Sequence, residues 1–133
     1  MQRPALAQSV TFLYAAEPEA SWRFYEATMG LELVQDQGTC RIYAAGAGTQ
    51  AFLGVCRARA KRASPDPRVE GGVVFTFVTP EVEGWREFLA ARGVEVPAAV
   101  EYSEAYRVTH FFFRDPAGYL LEVQRFERED WPA

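Results

Sequence analysis

Moved along itself by 63 positions, this chain meets itself at seven identities between residues 10 and 32. Val10 falls on Val73, Phe12 on Phe75, Trp22 on Trp85, Arg23 on Arg86, Ala27 on Ala90, Gly30 on Gly93 and Glu32 on Glu95. A fixed offset of this kind marks two copies of one supersecondary unit. In the first copy, residues 10–14 are β-rich and read as a strand. Glu17, Pro18 and Glu19 then open a helix, because proline is tolerated in a first turn and acidic residues suit the positive end of the dipole. Trp22, Tyr25 and Met29 share a face of it, and Gly30 stops it. Strands follow at 31–34, 40–43 and 50–56, parted by turns at Asp36-Gln37-Gly38 and Gly46-Ala47-Gly48. The second copy repeats this order. It has a strand at 73–78, a helix opening at Pro80-Glu81 with Val82, Trp85, Phe88 and Leu89 on one face, a stop at Gly93, and strands at 94–96, 107–113 and 119–126. The expectation is an α+β fold of two βαβββ modules, at 8–57 and 71–127, joined by a linker at 58–70, with helices near 19–29 and 81–92. A ferredoxin-like α+β domain leaves the three strands after each helix unexplained.

At 133 residues the chain is one compact unit by length, or two half-domains sharing a core. Each half holds too few residues for a comfortable core of its own, so a homodimer is expected. Hydrophobic residues make up 49% of the sequence, which excludes disorder, and the net charge of −4 gives no electrostatic reason to expect nucleic acid. No apolar run reaches membrane-spanning length, and residues 1–8 lack the pattern of a secretion signal. Cys40 and Cys56 have no metal-binding spacing and read as small buried hydrophobes in a cytoplasmic protein. The basic cluster Arg57, Arg59, Lys61 and Arg62, followed by Ser64-Pro65-Asp66-Pro67, reads as an exposed loop.

The most informative stretch is 111–124. An aromatic run, Phe111-Phe112-Phe113, is followed by Asp115-Pro116-Ala117-Gly118 and then by Leu120-Leu121-Glu122-Val123. Aspartate, proline and glycine at these places supply a tight turn, so the stretch reads as a hairpin. Glu122 then stands inside an apolar strand, where a carboxylate must be solvated, paired or bound to a cation. This hairpin resembles the closing hairpin of the vicinal oxygen chelate superfamily, which includes glyoxalase I, bleomycin resistance proteins and extradiol dioxygenases. Paired βαβββ modules are also what that superfamily is built from, and the resemblance runs from about Gln8 to Phe126.

In metal-dependent members of the superfamily, the residue matching Glu122 ligates the metal. The resemblance places two further ligands, usually His, at Val10 and Val73, and a fourth near Phe52 or Leu53. None of these four side chains can coordinate a metal. The expectation is therefore no metal cofactor, with Glu122 left as a single candidate ligand. Pairing across a tight turn sets Arg114 against Tyr119 and Phe111 against Glu122. With strand alternation, this places Phe12, Tyr14, Phe75, Phe77, Phe111, Phe113, Glu122 and Gln124 around an aromatic cavity, capped by Tyr106. The same aromatics also fit a second reading, in which they fill the space between sheets. His110 is the only histidine. The simple register sets it away from Glu122, as a structural residue or, if a bulge intervenes, as a ligand or acid–base group. No triad or phosphate-loop motif occurs. The function expected is binding of an apolar or aromatic small molecule without metal. The alternative is a metal-dependent lyase, isomerase or dioxygenase using Glu122 and possibly His110.

Overall fold

The computed structural model describes residues 1–48, 50–61 and 63–132. The chain divides into two units, Met1–Arg62 and Ala63–Ala133. Arg62, the last residue of the basic cluster, lies outside the described residues.

The first unit runs β1 (Ser9–Ala15), α1 (Pro18–Arg23), β2 (Glu32–Asp36), β3 (Cys40–Ala44) and β4 (Ala51–Arg57). The sheet order is β1-β4-β3-β2, with β1 parallel to β4 and the remaining pairs antiparallel. The helix expected over 19–29 does not stay α-helical, since from Phe24 to Thr28 it continues as a π-helical turn. That turn brings Phe24 and Tyr25 onto the buried face together, edge to face with ring centroids 5.2 Å apart. Leu13, Tyr25, Tyr43, Leu53 and Val55 are buried beneath the helix, and the Trp22 indole N–H donates to the Val55 carbonyl at 3.0 Å. Arg41 lies over the Trp22 ring and donates to Glu26 at 2.7 Å. Tyr43 donates to the same carboxylate oxygen at 2.8 Å. Burial raises the pKa of Glu26, but these two hydrogen bonds outweigh it and hold the carboxyl below its ordinary value. Alternation leaves Val10, Phe12 and Tyr14 on the other face, where each is substantially exposed. Cys40 and Cys56, expected as separate buried hydrophobes, pair directly across β3 and β4 and are joined as a disulfide.

The second unit runs α2 (Pro67–Glu70), β5 (Phe75–Val78), α3 (Val82–Ala91), β6 (Glu101–Ser103), β7 (Val108–Arg114) and β8 (Leu120–Phe126). Its sheet repeats the first, in the order β5-β8-β7-β6, with β5 parallel to β8. Two four-stranded mixed sheets with the same strand order bear out the repeated-module reading. Two details differ from expectation. Residues 94–96 form no strand, and the edge strand comes later, at Glu101–Ser103. The linker also contains a helical turn, α2, capped by Asp66, whose side chain accepts from the Arg68 backbone N–H at 2.9 Å.

The face of β8 that α3 covers is fixed by Arg125, which donates to the Pro80 carbonyl at 2.8 Å and to Glu83 at 2.9 Å at the start of α3. Leu121 and Val123 alternate with Arg125 and therefore face the helix as well. Their partners Phe113 and Phe111, at 3% and 2% exposure, complete this core with Val82 and Leu89. Phe75 and Phe77 pair with Leu121 and Val123 and take the same side.

Candidate functional site

The hairpin register decides which side chains reach the open face of the second sheet. The expected pairing of Arg114 with Tyr119 does not occur. Asp115 instead bonds Tyr119 in both directions. Its backbone N–H donates to the Tyr119 carbonyl at 3.0 Å, and its side chain accepts from the N–H groups of Tyr119 and Ala117 at 2.9 and 3.0 Å. Gly118 closes the loop at φ +90°, and a Cβ there would collide with the Ser64 hydroxyl, so glycine is required on both counts. Tyr119 is thereby used in the turn, and β8 begins one residue later, with Arg114 opposite Leu120. A shift of one residue moves every side chain to the other face. Glu122 consequently pairs with Phe112, not Phe111.

Three successive cross-strand pairs now share one face: Val108 with Phe126, His110 with Gln124, and Phe112 with Glu122. Together they line a cavity of about 550 Å³, within the range of small-molecule sites. Each end of this row is covered by a segment from outside the sheet. The Arg68 guanidinium stands 4.1 Å from the centre of the Phe112 ring and is held by two hydrogen bonds to Asp66. Trp131, from the C-terminal tail, stacks on Phe126 with centroids 3.7 Å apart and planes 11° off parallel. Tyr106 and Arg128 complete the lining. Arg128 is tied to Asp130 at 2.8 Å, and that guanidinium draws the Asp130 carboxyl down to about 2.

In the end pair beside Arg68, Glu122 is 9% exposed. The Thr76 hydroxyl, opposite it on β5, donates to Oε1 at 2.8 Å, and His110 Nδ1 lies 2.6 Å from Oε2. In the orientation that satisfies its neighbours, the Gln124 amide nitrogen donates to both oxygens, at 3.0 and 3.3 Å. The imidazole meets the Phe112 ring edge to face at 5.2 Å. Because a carboxylate only accepts, the neutral ring carries its proton on Nδ1 and leaves the lone pair of Nε2 free. Chemically, this is a base fixed in orientation by a buried acid, inside an aromatic enclosure.

Of the residues expected at the site, Glu122, Gln124 and Tyr106 line the cavity. His110 does too, beside Glu122 and not away from it, because the longer loop reverses the strand. Phe111 and Phe113 lie on the helix-covered face for the same reason, and Phe75 and Phe77 lie there because β5 pairs them with Leu121 and Val123. Phe12 and Tyr14 belong to the first unit, at 44% and 53% exposure. Sequence reasoning missed Val108, Phe112, Phe126, Arg68, Thr76, Arg128 and Trp131. Alternation from a five-residue closure would have found Phe112 and its neighbours, whereas Arg68 and Trp131 carry no periodic signal.

The open faces of β4 and β8 differ in what they present. Glu122 stands between the fully buried Leu121 and Val123, and Gly54 stands between the fully buried Leu53 and Val55. The Phe12 ring covers Gly54, 2.5 Å from where a Cβ would be. The open face of the first sheet therefore presents an aromatic ring where that of the second presents a carboxylate. Val10 lies on that first face beside Phe52, and Val73 precedes β5.

No helix of the described residues is long and apolar enough to cross a membrane. Solved structures similar to this one share its fold. A lactoylglutathione lyase from Agrobacterium tumefaciens superposes with a TM-score of 0.71 at 24% identity, over 97% of this chain and 100% of that one. An integron cassette protein from the mobile metagenome of the Halifax Harbour sewage outfall gives 0.74 at 18% identity, over 90% and 97%. A glyoxalase/bleomycin resistance protein/dioxygenase from Nocardioides gives 0.67 at 19%, over 100% and 90%. No curated protein matches the chain. The family model of the Glyoxalase/Bleomycin resistance protein/Dioxygenase superfamily matches residues 7–123. Family model, repeated βαβββ order and fold agree: the chain belongs to the Glyoxalase/Bleomycin resistance protein/Dioxygenase superfamily.

Proposed function

We propose that the protein is a metal-free binding module for an aromatic small molecule, held in the cavity of the second unit. The observation that carries this reading is the row of three cross-strand pairs, bounded by Arg68 on Phe112 and by Trp131 on Phe126. A mostly aromatic enclosure with a few convergent polar groups suits a flat ligand fixed by a small number of hydrogen bonds. The same reading takes the working form as a homodimer in the cytoplasm, a compartment in which a disulfide such as Cys40–Cys56 is uncommon.

The metal-dependent alternative finds little support in the donor set. Val10 and Val73 have no lone pair to offer. Glu122 and His110 are engaged with each other at 2.6 Å, a direct hydrogen-bond distance. Among the described residues, no three His, Cys, Asp or Glu side chains gather as a metal cage would require.

Titration with nitrobenzene, followed by amide proton–nitrogen spectra, tests the binding reading. Saturable shifts are expected at Val108, Phe112 and Phe126, with Phe112→Ala weakening binding about tenfold, the loss of one well-placed aromatic contact. Shifts confined to residues 1–61, or none at all, would contradict it.

A further inference from the structure

The geometry points to His110 Nε2 as a proton acceptor, and hence to a ligand that carries a hydroxyl on its aromatic ring. This rests on the cavity being the binding site of an aromatic molecule. Three protein donors already occupy Glu122: Thr76, His110 and Gln124. Its carboxylate is therefore spent on the protein, and its role toward a ligand is to hold the imidazole. The side chains of the pair are 16% and 12% exposed, so the ring has little freedom to turn away. Nδ1–H is committed to Glu122, and Nε2 has no protein partner among the described residues.

A purely apolar ligand filling this cavity would cover that lone pair and leave it unpaired, an unfavourable burial. A ring hydroxyl removes the conflict by donating to Nε2. When the hydroxyl is acidic enough, its proton moves across. The O–H bond breaks, the Nε2–H bond forms, and the imidazolium lies between the new phenolate and Glu122. The net charge of the complex is unchanged, and no oxidant or reductant is involved. The charged groups around the ring are Glu122 on β8, Glu101 directly opposite His110 on β6, and Arg68 and Arg128 along the cavity. Each guanidinium is already paired with a carboxylate, Arg68 with Asp66 and Arg128 with Asp130, so the imidazolium is the cation beside the new phenolate.

The matched probes 4-nitrophenol and nitrobenzene differ by this hydroxyl alone. The intact protein should bind 4-nitrophenol about tenfold more tightly, the factor supplied by one hydrogen bond to a fixed base. The visible absorption of the bound phenol should shift toward that of the phenolate. His110→Phe should bring the two affinities within about twofold of each other, whatever its effect on nitrobenzene binding itself, and His110→Leu asks the same question should the larger ring not be accommodated. Equal affinities in the intact protein, or a preference that survives both substitutions, would overturn the inference and leave the cavity reading standing. Failure of both probes to bind would overturn the cavity reading, and this inference with it.

Discussion

Phe111→Ala is expected to destabilise the protein by about 3–5 kcal/mol, the usual cost of emptying a buried phenylalanine site. Phe112→Ala, one residue along the same strand, should cost about 1 kcal/mol and act instead on ligand binding. The contrast follows from register alone. Phe111 is 2% exposed and pairs with Val123 under α3. Phe112 is half-buried on the opposite face, between Arg68 and His110. Urea unfolding of the two variants measures the difference. The reverse order of stabilities would restore the pairing of Phe111 with Glu122, and with it an aromatic cavity on the face now assigned to the core.

The second large effect concerns the pair at the centre of the site. A hydrogen bond to an ionised group in a desolvated setting contributes about 1.5–3 kcal/mol. His110→Ala leaves Glu122 with two donors, Thr76 and Gln124, and without the shortest of its three contacts. Glu122→Gln keeps the shape and should alter stability less than it alters ligand binding. A double-mutant cycle of His110→Ala and Glu122→Ala, read from urea midpoints, should return a coupling of about 2 kcal/mol. A coupling near zero would mean that the two side chains act independently, and the imidazole would lose its fixed tautomer and orientation.

The modules were legible in the sequence because their punctuation is local. Pro18 and Pro80 open helices, Gly30 and Gly93 stop them, and the offset of 63 residues ties the halves together. The faces of the last hairpin were not legible, because they turn on a single residue. Whether Tyr119 belongs to the turn or to the strand is set by the paired hydrogen bonds of Asp115. Asp-Pro-Ala-Gly announces a turn without announcing its length, and with period 2 an error of one position reverses all assignments. Arg68 and Trp131 were hidden for a different reason. Each reaches the sheet from a segment with no periodicity, and each is placed by a ring contact to a residue distant in sequence or beyond a break in the strand. The π-helical turn at Phe24–Thr28 was equally unannounced, since the apolar spacing of Trp22, Tyr25 and Met29 suits an ordinary helix as well.

That the site works without a metal is the claim on which the functional reading depends. Elemental analysis of untagged protein, purified without chelator, tests it most directly. The account predicts far less than one zinc, nickel or iron per chain, unchanged by Glu122→Gln. One metal per chain, lost on Glu122→Gln or His110→Ala, would contradict it and identify these two residues as ligands of a catalytic ion.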